Sequence, residues 1–157
     1  DMSYEGKHFS AKGITAHPKP VSAPHPPIWV GGNTSAARAR GAKYAQGWCP
    51  FRAPALLAQT ARTAALETTD HLKTGIDDLR RRLDEAGRDP LDVDVTFTNS
   101  AGGTPGSDDF NADEFLDGVT ELEKAGVTWI QVNVPGDSLA HAVEAIEGFG
   151  ESVIGRL

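Results

Sequence analysis

The sequence predicts an α/β fold in which short parallel strands alternate with covering helices. Three observations predict it. Four short apolar runs are each followed by a segment with helical spacing. The two kinds of segment alternate instead of grouping by type, which argues for a parallel sheet with crossover helices. The strand-like runs are brief and mostly apolar, as in sheets buried by their helices.

Residues 1–27 read as an extended entry segment, with a short strand near Lys7 to Phe9. "HPKPVSAPHPP" (His17 to Pro27) holds five prolines, which block helix and central strand alike. The first apolar strand is Ile28 to Val30. A helix over Thr34 to Ala45 follows, with Thr34 or Ser35 as its cap. "QGWCPF" (Gln46 to Phe51) reads as the second strand. A long helical region spans Ala53 to Ala86, broken near Thr68 to Asp70, with Leu72, Ile76, Leu79 and Leu83 on one face. "AGRDP" (Ala86 to Pro90) ends it with a glycine and then a proline.

"VDVTFTN" (Val93 to Asn99) alternates apolar and polar residues and is the third strand. Asn111 caps the next helix, and Glu114 three residues on completes a capping-box pattern. Phe115, Val119 and Leu122 line that helix's buried face. "GVTWIQVNV" (Gly126 to Val134) is the fourth strand, with Trp129 as a core residue. A last helix places Leu139, Val143, Ile146 and Phe149 on one face. The chain of 157 residues is thus read as one unit, its four strand–helix repeats lying in 28–157. Four repeats make a small doubly wound domain or half of an eight-unit barrel. A whole barrel needs about 250 residues.

Fifteen basic and 22 acidic side chains leave a net charge of −7, which disfavours nucleic acid and anionic membranes as partners. The single cysteine, Cys49, rules out an internal disulfide and suits a reducing, cytoplasmic compartment. No apolar run approaches a membrane span of roughly 20 residues. The sequence opens "DMSYEGKHF", without an apolar leader core and without an initial Met, and is expected to be a fragment.

The stretch "VGGNTS" (Val30 to Ser35) carries the most chemistry. Gly31 and Gly32 permit a sharp turn and a close backbone approach. Asn33, Thr34 and Ser35 then offer amides and short hydroxyls at a helix start, where the dipole favours an anion such as phosphate. The competing reading is a plain turn with a capped helix. Trp48, before Cys49 and Pro50, is either a floor for a flat ligand or a core residue. Cys49 has no base near it in sequence and reads as a packing thiol. Asn133 and Pro135 end the fourth strand on the rim where α/β ligands sit. "DDLRRRLDE" (Asp77 to Glu85) reads as a solvated helix face with i,i+4 ion pairs. His17 and His25 lack further ligands and read as loop histidines, so no metal site is expected, and no catalytic set can be named.

Several stretches together resemble the luciferase-like monooxygenase family, which uses flavin or deazaflavin cofactors. They are "YEGKHF" (Tyr4 to Phe9), "PKPV" and "PHPPIWVGGNTSAA" (within Pro18 to Ala37), "GWCPF" (Gly47 to Phe51), "AGRDP" (Ala86 to Pro90) and "GVTWIQVNVPG" (Gly126 to Gly136). The deazaflavin-using branch is the most similar. The resemblance implies a (β/α)8 TIM barrel of which this chain supplies the C-terminal half, strands five to eight. It implies coenzyme F420 or FMN as cofactor, its phosphate held by Gly31, Gly32, Asn33, Thr34 and Ser35. Trp48 and Pro50 would line the barrel mouth beside the ring or a small organic substrate. Gln46 departs from the acidic residue common before the Gly-Trp pair. The implied partner is the N-terminal half-barrel or a second copy. The alternative is a non-catalytic half-barrel module that binds a phosphate-bearing ligand or a partner half.

Overall fold

The computed structural model describes residues 1–157. Four strands build one parallel sheet: β3 (Trp29–Gly31), β4 (Gly47–Cys49), β5 (Asp94–Thr98) and β6 (Trp129–Gln131). Ahead of them lies a separate antiparallel hairpin, β1 (Met2–Glu5) and β2 (Ser10–Ile14). The helices are α1 (Ser35–Tyr44), α2 (Ala55–Thr60), α3 (Thr69–Glu85), α4 (Ala112–Ala125) and α5 (Leu139–Ser152), with a closing 3-10 turn at Ile154–Arg156.

The sheet order is β3-β4-β5-β6, every neighbour parallel. Strand order follows chain order without reversal, so the doubly wound alternative has no counterpart here. Side chains alternate across each strand. Trp48, Val95 and Phe97 enter a core shared with Leu72, Ile76, Leu79 and Leu83 of α3 and Leu122 of α4. The opposite face carries Trp29 and Trp129, which are 39% and 58% exposed and meet edge to face at 6.3 Å. Trp129 is therefore not core, because its parity puts it on the face that no helix covers.

Several boundaries differ from the sequence reading. Lys7 to Phe9 belong to the hairpin turn, which the bond from the Gly6 amide to the Phe9 carbonyl closes, so the strands flank that segment. The long helical region breaks earlier than Thr68. Arg62 turns left-handed (φ 52°), and Ala53 and Leu66 exchange backbone bonds across a bridge. Thr68 then caps α3, accepting from the His71 amide. The capping box at Asn111 does not form as expected. Asn111 Oδ1 accepts from Asp113 and Glu114, but its own amide donates to the Gly102 carbonyl, so Glu114 bonds the Asn111 side chain instead.

The apolar stripe of α5 is uncovered. Leu139 is 83% exposed, Val143 and Ile146 are exposed, and only Phe149 finds partners, in a cluster with Phe110 and Phe115. Arg88, from "AGRDP", reaches back to the C-terminal end of α1 and donates to the carbonyls of Ala42 and Ala45, both at 2.9 Å. A cation there satisfies orphan carbonyls and complements the helix dipole.

The charged face of α3 is solvated only in part. Lys73–Asp77 and Arg81–Glu85 are i,i+4 pairs on the surface. Asp78 is instead drawn between helices, receiving Arg38 of α1 at 2.6 Å along with Arg82 and Arg81. Burial pushes the Asp78 carboxyl up, but bonds from Arg38, Arg82 and Arg81 outweigh it and hold the group well below the usual carboxylate range. A carboxyl depressed in this way stabilises the fold fully above its unfolded value, about 3.9, and loses that contribution as pH falls below it. The Asp78→Asn variant should therefore show a flatter decline of melting temperature between about pH 4 and pH 2 than the parent. Parallel curves in thermal melts would contradict the ion-pair account.

Candidate anion site at the start of helix α1

The site is built where β3 runs out. Gly32 sits at φ 100°, a left-handed conformation that disfavours any side chain. Its amide donates to the Cys49 carbonyl, and its carbonyl accepts from the Trp48 indole nitrogen at 2.9 Å. The turn is thus fastened to β4 on both sides of the glycine. Gly32→Val, a natural probe of ligand approach, would strain the backbone whether or not a ligand binds.

Asn33 is 3% exposed and fully occupied. Its amide donates to Thr63 Oγ1, and its side chain donates to the carbonyls of Phe51 and Ala64 and accepts from the Phe51 amide. It is a hub tying three loops together, and it leaves no donor for an anion. Thr34 is the N-cap, its Oγ1 accepting from the Ala37 amide at 3.1 Å. The amides of Thr34, Ser35 and Ala36 meet no protein acceptor. Ser35 Oγ accepts from Arg82 Nη2 at 2.8 Å. Around this point Arg38, Arg81 and Arg82 face Asp78 and Glu85, a local balance of three positive against two negative groups.

Of the five residues assigned to phosphate, the structure brings Gly32, Thr34 and Ser35 to one open helix start and turns Asn33 inward. Gly31 lies at the end of β3, on the uncovered face of the sheet. The mouth-lining pair is corrected. Trp48 is 0% exposed, its indole packed over Gly75 of α3 with the Arg38 guanidinium 5.9 Å from the ring. Pro50 is also buried. Strand parity sends Trp48 toward the helices, and no ring face remains for a ligand.

Parity places Cys49, Thr98 and Gln131 on the uncovered face at the carboxyl ends of their strands. Thr98 Oγ1 bonds Gln131 Oε1 at 3.2 Å. Burial pushes the Cys49 thiol up, away from the reactive thiolate. Thr98 and Gln131 escaped the sequence reading, although their alternation with Phe97 and Ile130 marks them. Arg82 escaped it as well, for it stands 47 residues from Ser35 and only the packing of α1 on α3 joins them. A cavity of about 550 Å³ lined by Arg80, Glu123, Thr128 and Leu157 lies at the amino-terminal end of β6, away from the strand ends that carry this site.

Comparison with known structures places these features in context. The chain is similar to a coenzyme F420 dependent tetrahydromethanopterin reductase from Methanopyrus kandleri, with a TM-score of 0.58 and 16% identity over 83% of this chain and 50% of that one. It is also similar to the long-chain alkane monooxygenase LadA, with a TM-score of 0.57 and 15% identity over 92% of this chain and 44% of that one. The chain thus spans about half the length of these proteins. At such identity the likeness establishes shared fold. No helix of this chain is long and apolar enough to cross a membrane. A family model described as luciferase-like monooxygenase matches residues 1–102, well over half of the chain, and the chain belongs to that family.

Proposed function

We propose that this chain is the C-terminal half-barrel of an oxidoreductase that holds a reduced flavin-type cofactor, coenzyme F420 or FMN, against a small organic substrate. The observation that carries the reading is the start of α1. Three unpaired amides, the Ser35 hydroxyl and the Arg82 guanidinium converge there at the carboxyl end of a parallel strand. A cofactor phosphate fits that donor set, since backbone amides at a helix start and an arginine both favour a phosphate anion. The matched family, and the printed descriptions of an F420 dependent reductase and a monooxygenase, support the same class.

Bound there, such a cofactor would supply hydride or, as flavin, the electrons for monooxygenation. The chain's own part is to bind and to shape. The amides of Thr34, Ser35 and Ala36 receive the phosphate, with Arg82 as its counter-charge. The Gly31–Gly32 backbone leaves room beside it. Cys49, Thr98 and Gln131 form the wall toward the ring and substrate, and the neutral thiol makes that wall apolar at Cys49. Once that face is covered, Trp29 and Trp129 would fill the layer beneath and exclude water from below. Their open face calls for a cover, either the N-terminal half-barrel or a second copy.

Cofactor fluorescence titrated with the full-length protein tests this reading. F420 or FMN should bind saturably, and Ser35→Ala should weaken that binding by about tenfold, the loss of one charge-assisted bond. Absence of binding by both cofactors would overturn it.

A further inference from the structure

We infer that His141 is a proton-operated latch that holds the loop after β5 onto the start of α5. The imidazole stands between two acceptors. Nδ1 meets the Asp137 carboxylate at 2.8 Å and Nε2 meets the Gly106 carbonyl at 2.9 Å. A neutral imidazole carries one N–H and can satisfy one of them, whereas the imidazolium donates to both. Deprotonation therefore breaks one specific bond. The remaining proton stays with the carboxylate, the stronger acceptor, and the Nε2 lone pair is left facing the Gly106 carbonyl. Repulsion then falls on the loop.

The loop is shaped for this contact. Gly106 is left-handed (φ 87°) and lies so close that a Cβ on it would meet the Ala145 Cβ at 2.5 Å and Pro135 at 3.1 Å. Pro135 belongs to the segment after β6, so His141, Ala145 and Pro135 together seat one glycine from the neighbouring loop. At its far end the loop is anchored by Phe110 between Phe115 and Phe149. Release at Gly106 would thus free residues 103–109 and leave the anchor in place. The charged groups facing His141 are Asp137 just ahead of the α5 cap, Glu144 of α5, and Asp108 from the loop lining the adjoining cavity. All are acidic. The Gly106 carbonyl first, and Asp137 next, hold the imidazole above its ordinary value near 6.5. With a raised value the latch contributes fully below about pH 6.5 and is lost as pH rises through the folded value.

Both loops stand at the carboxyl ends of the sheet strands, so the latch sets how firmly that rim is closed. His141 acts there as a positioning residue. The test has two parts in the full-length protein. Nitrogen NMR of the histidine rings should show both His141 nitrogens protonated near about pH 6, with a titration midpoint above 6.5 that falls in Asp137→Asn. Hydrogen exchange of the peptide over residues 102–110, corrected for intrinsic rates, should quicken roughly fivefold between about pH 6 and about pH 8, the loss of one hydrogen bond. In His141→Gln, which cannot titrate, that quickening should vanish. A neutral ring near pH 6, equal corrected rates at the two pH values, or an unchanged pH dependence in His141→Gln would each overturn the latch. The ring measurement needs no substitution, and neither readout needs a bound cofactor.

Discussion

Replacing Trp48 with alanine should destabilise the full-length protein by about 3–5 kcal/mol, the range for a large aromatic lost from a packed core. The indole is wholly buried and its far edge presses on Gly75, where even a methyl group would sit 2.9 Å from the ring. The cavity left behind has little chance to collapse, since α3 is held in place by Leu72, Ile76, Leu79 and Leu83. The same substitution removes the bond to the Gly32 carbonyl and so loosens the turn beside the proposed anion site. Trp48→Phe separates the two effects. It keeps most of the packing and loses only the indole donor, a cost of about 1 kcal/mol. Urea unfolding midpoints of both variants measure this. If Trp48→Ala melted like the parent but lost cofactor affinity, the indole would be a ligand floor after all and its assignment to the core would fail.

Arg82→Gln should weaken cofactor binding by roughly tenfold or more, with folding largely intact. Arg82 bridges two jobs, donating Nη2 to Ser35 Oγ and Nε to Asp78 Oδ2. Glutamine removes the charge that would face a phosphate, and Asp78 keeps Arg38 and Arg81 as partners. Arg81→Gln is the matched control. Arg81 also contacts Asp78 but pairs outward with Glu85 and does not reach Ser35. Equal losses in the two variants would mean a general field effect, and a loss confined to Arg82 supports direct contact. Affinity should also fall with added salt in the parent, since partly exposed charges such as Arg82 are screened.

Much of this was legible from residue order. The helix over α3 follows from four apolar residues at helical spacing, and all four are buried. The parallel strands follow from short apolar runs separated by helices. The turn at Gly32 follows from adjacent glycines ahead of a Thr-Ser cap, and Thr34 does cap α1. Other features were hidden for identifiable reasons. Asn33 looks in sequence like one more polar residue of an anion loop, yet Phe51, 18 residues on, and Thr63 and Ala64, 30 and 31 residues on, together occupy its amide and its side chain. Arg82 sits in a run of charges that local reasoning assigns to solvent, and the packing of two helices turns it toward Ser35. The α5 stripe obeys the helical period faithfully, but periodicity states only that an apolar face exists and not what covers it.

What the sequence alone determined is local: element type, the cap and turn chemistry at the start of α1, and the family motifs. Each rests on interactions within a few residues or on a fixed period, so order suffices to encode it. The tertiary structure decided which side of the sheet each residue serves. A one-residue change of parity reverses a strand's faces, and short strands such as Trp29–Gly31 and Trp129–Gln131 are apolar on both faces, so no pattern announces the covered one. The placement of helices on the Trp48 side settled it. Trp48 thereby became core, Trp29 and Trp129 became the open face, and Ser35 came within reach of Arg82.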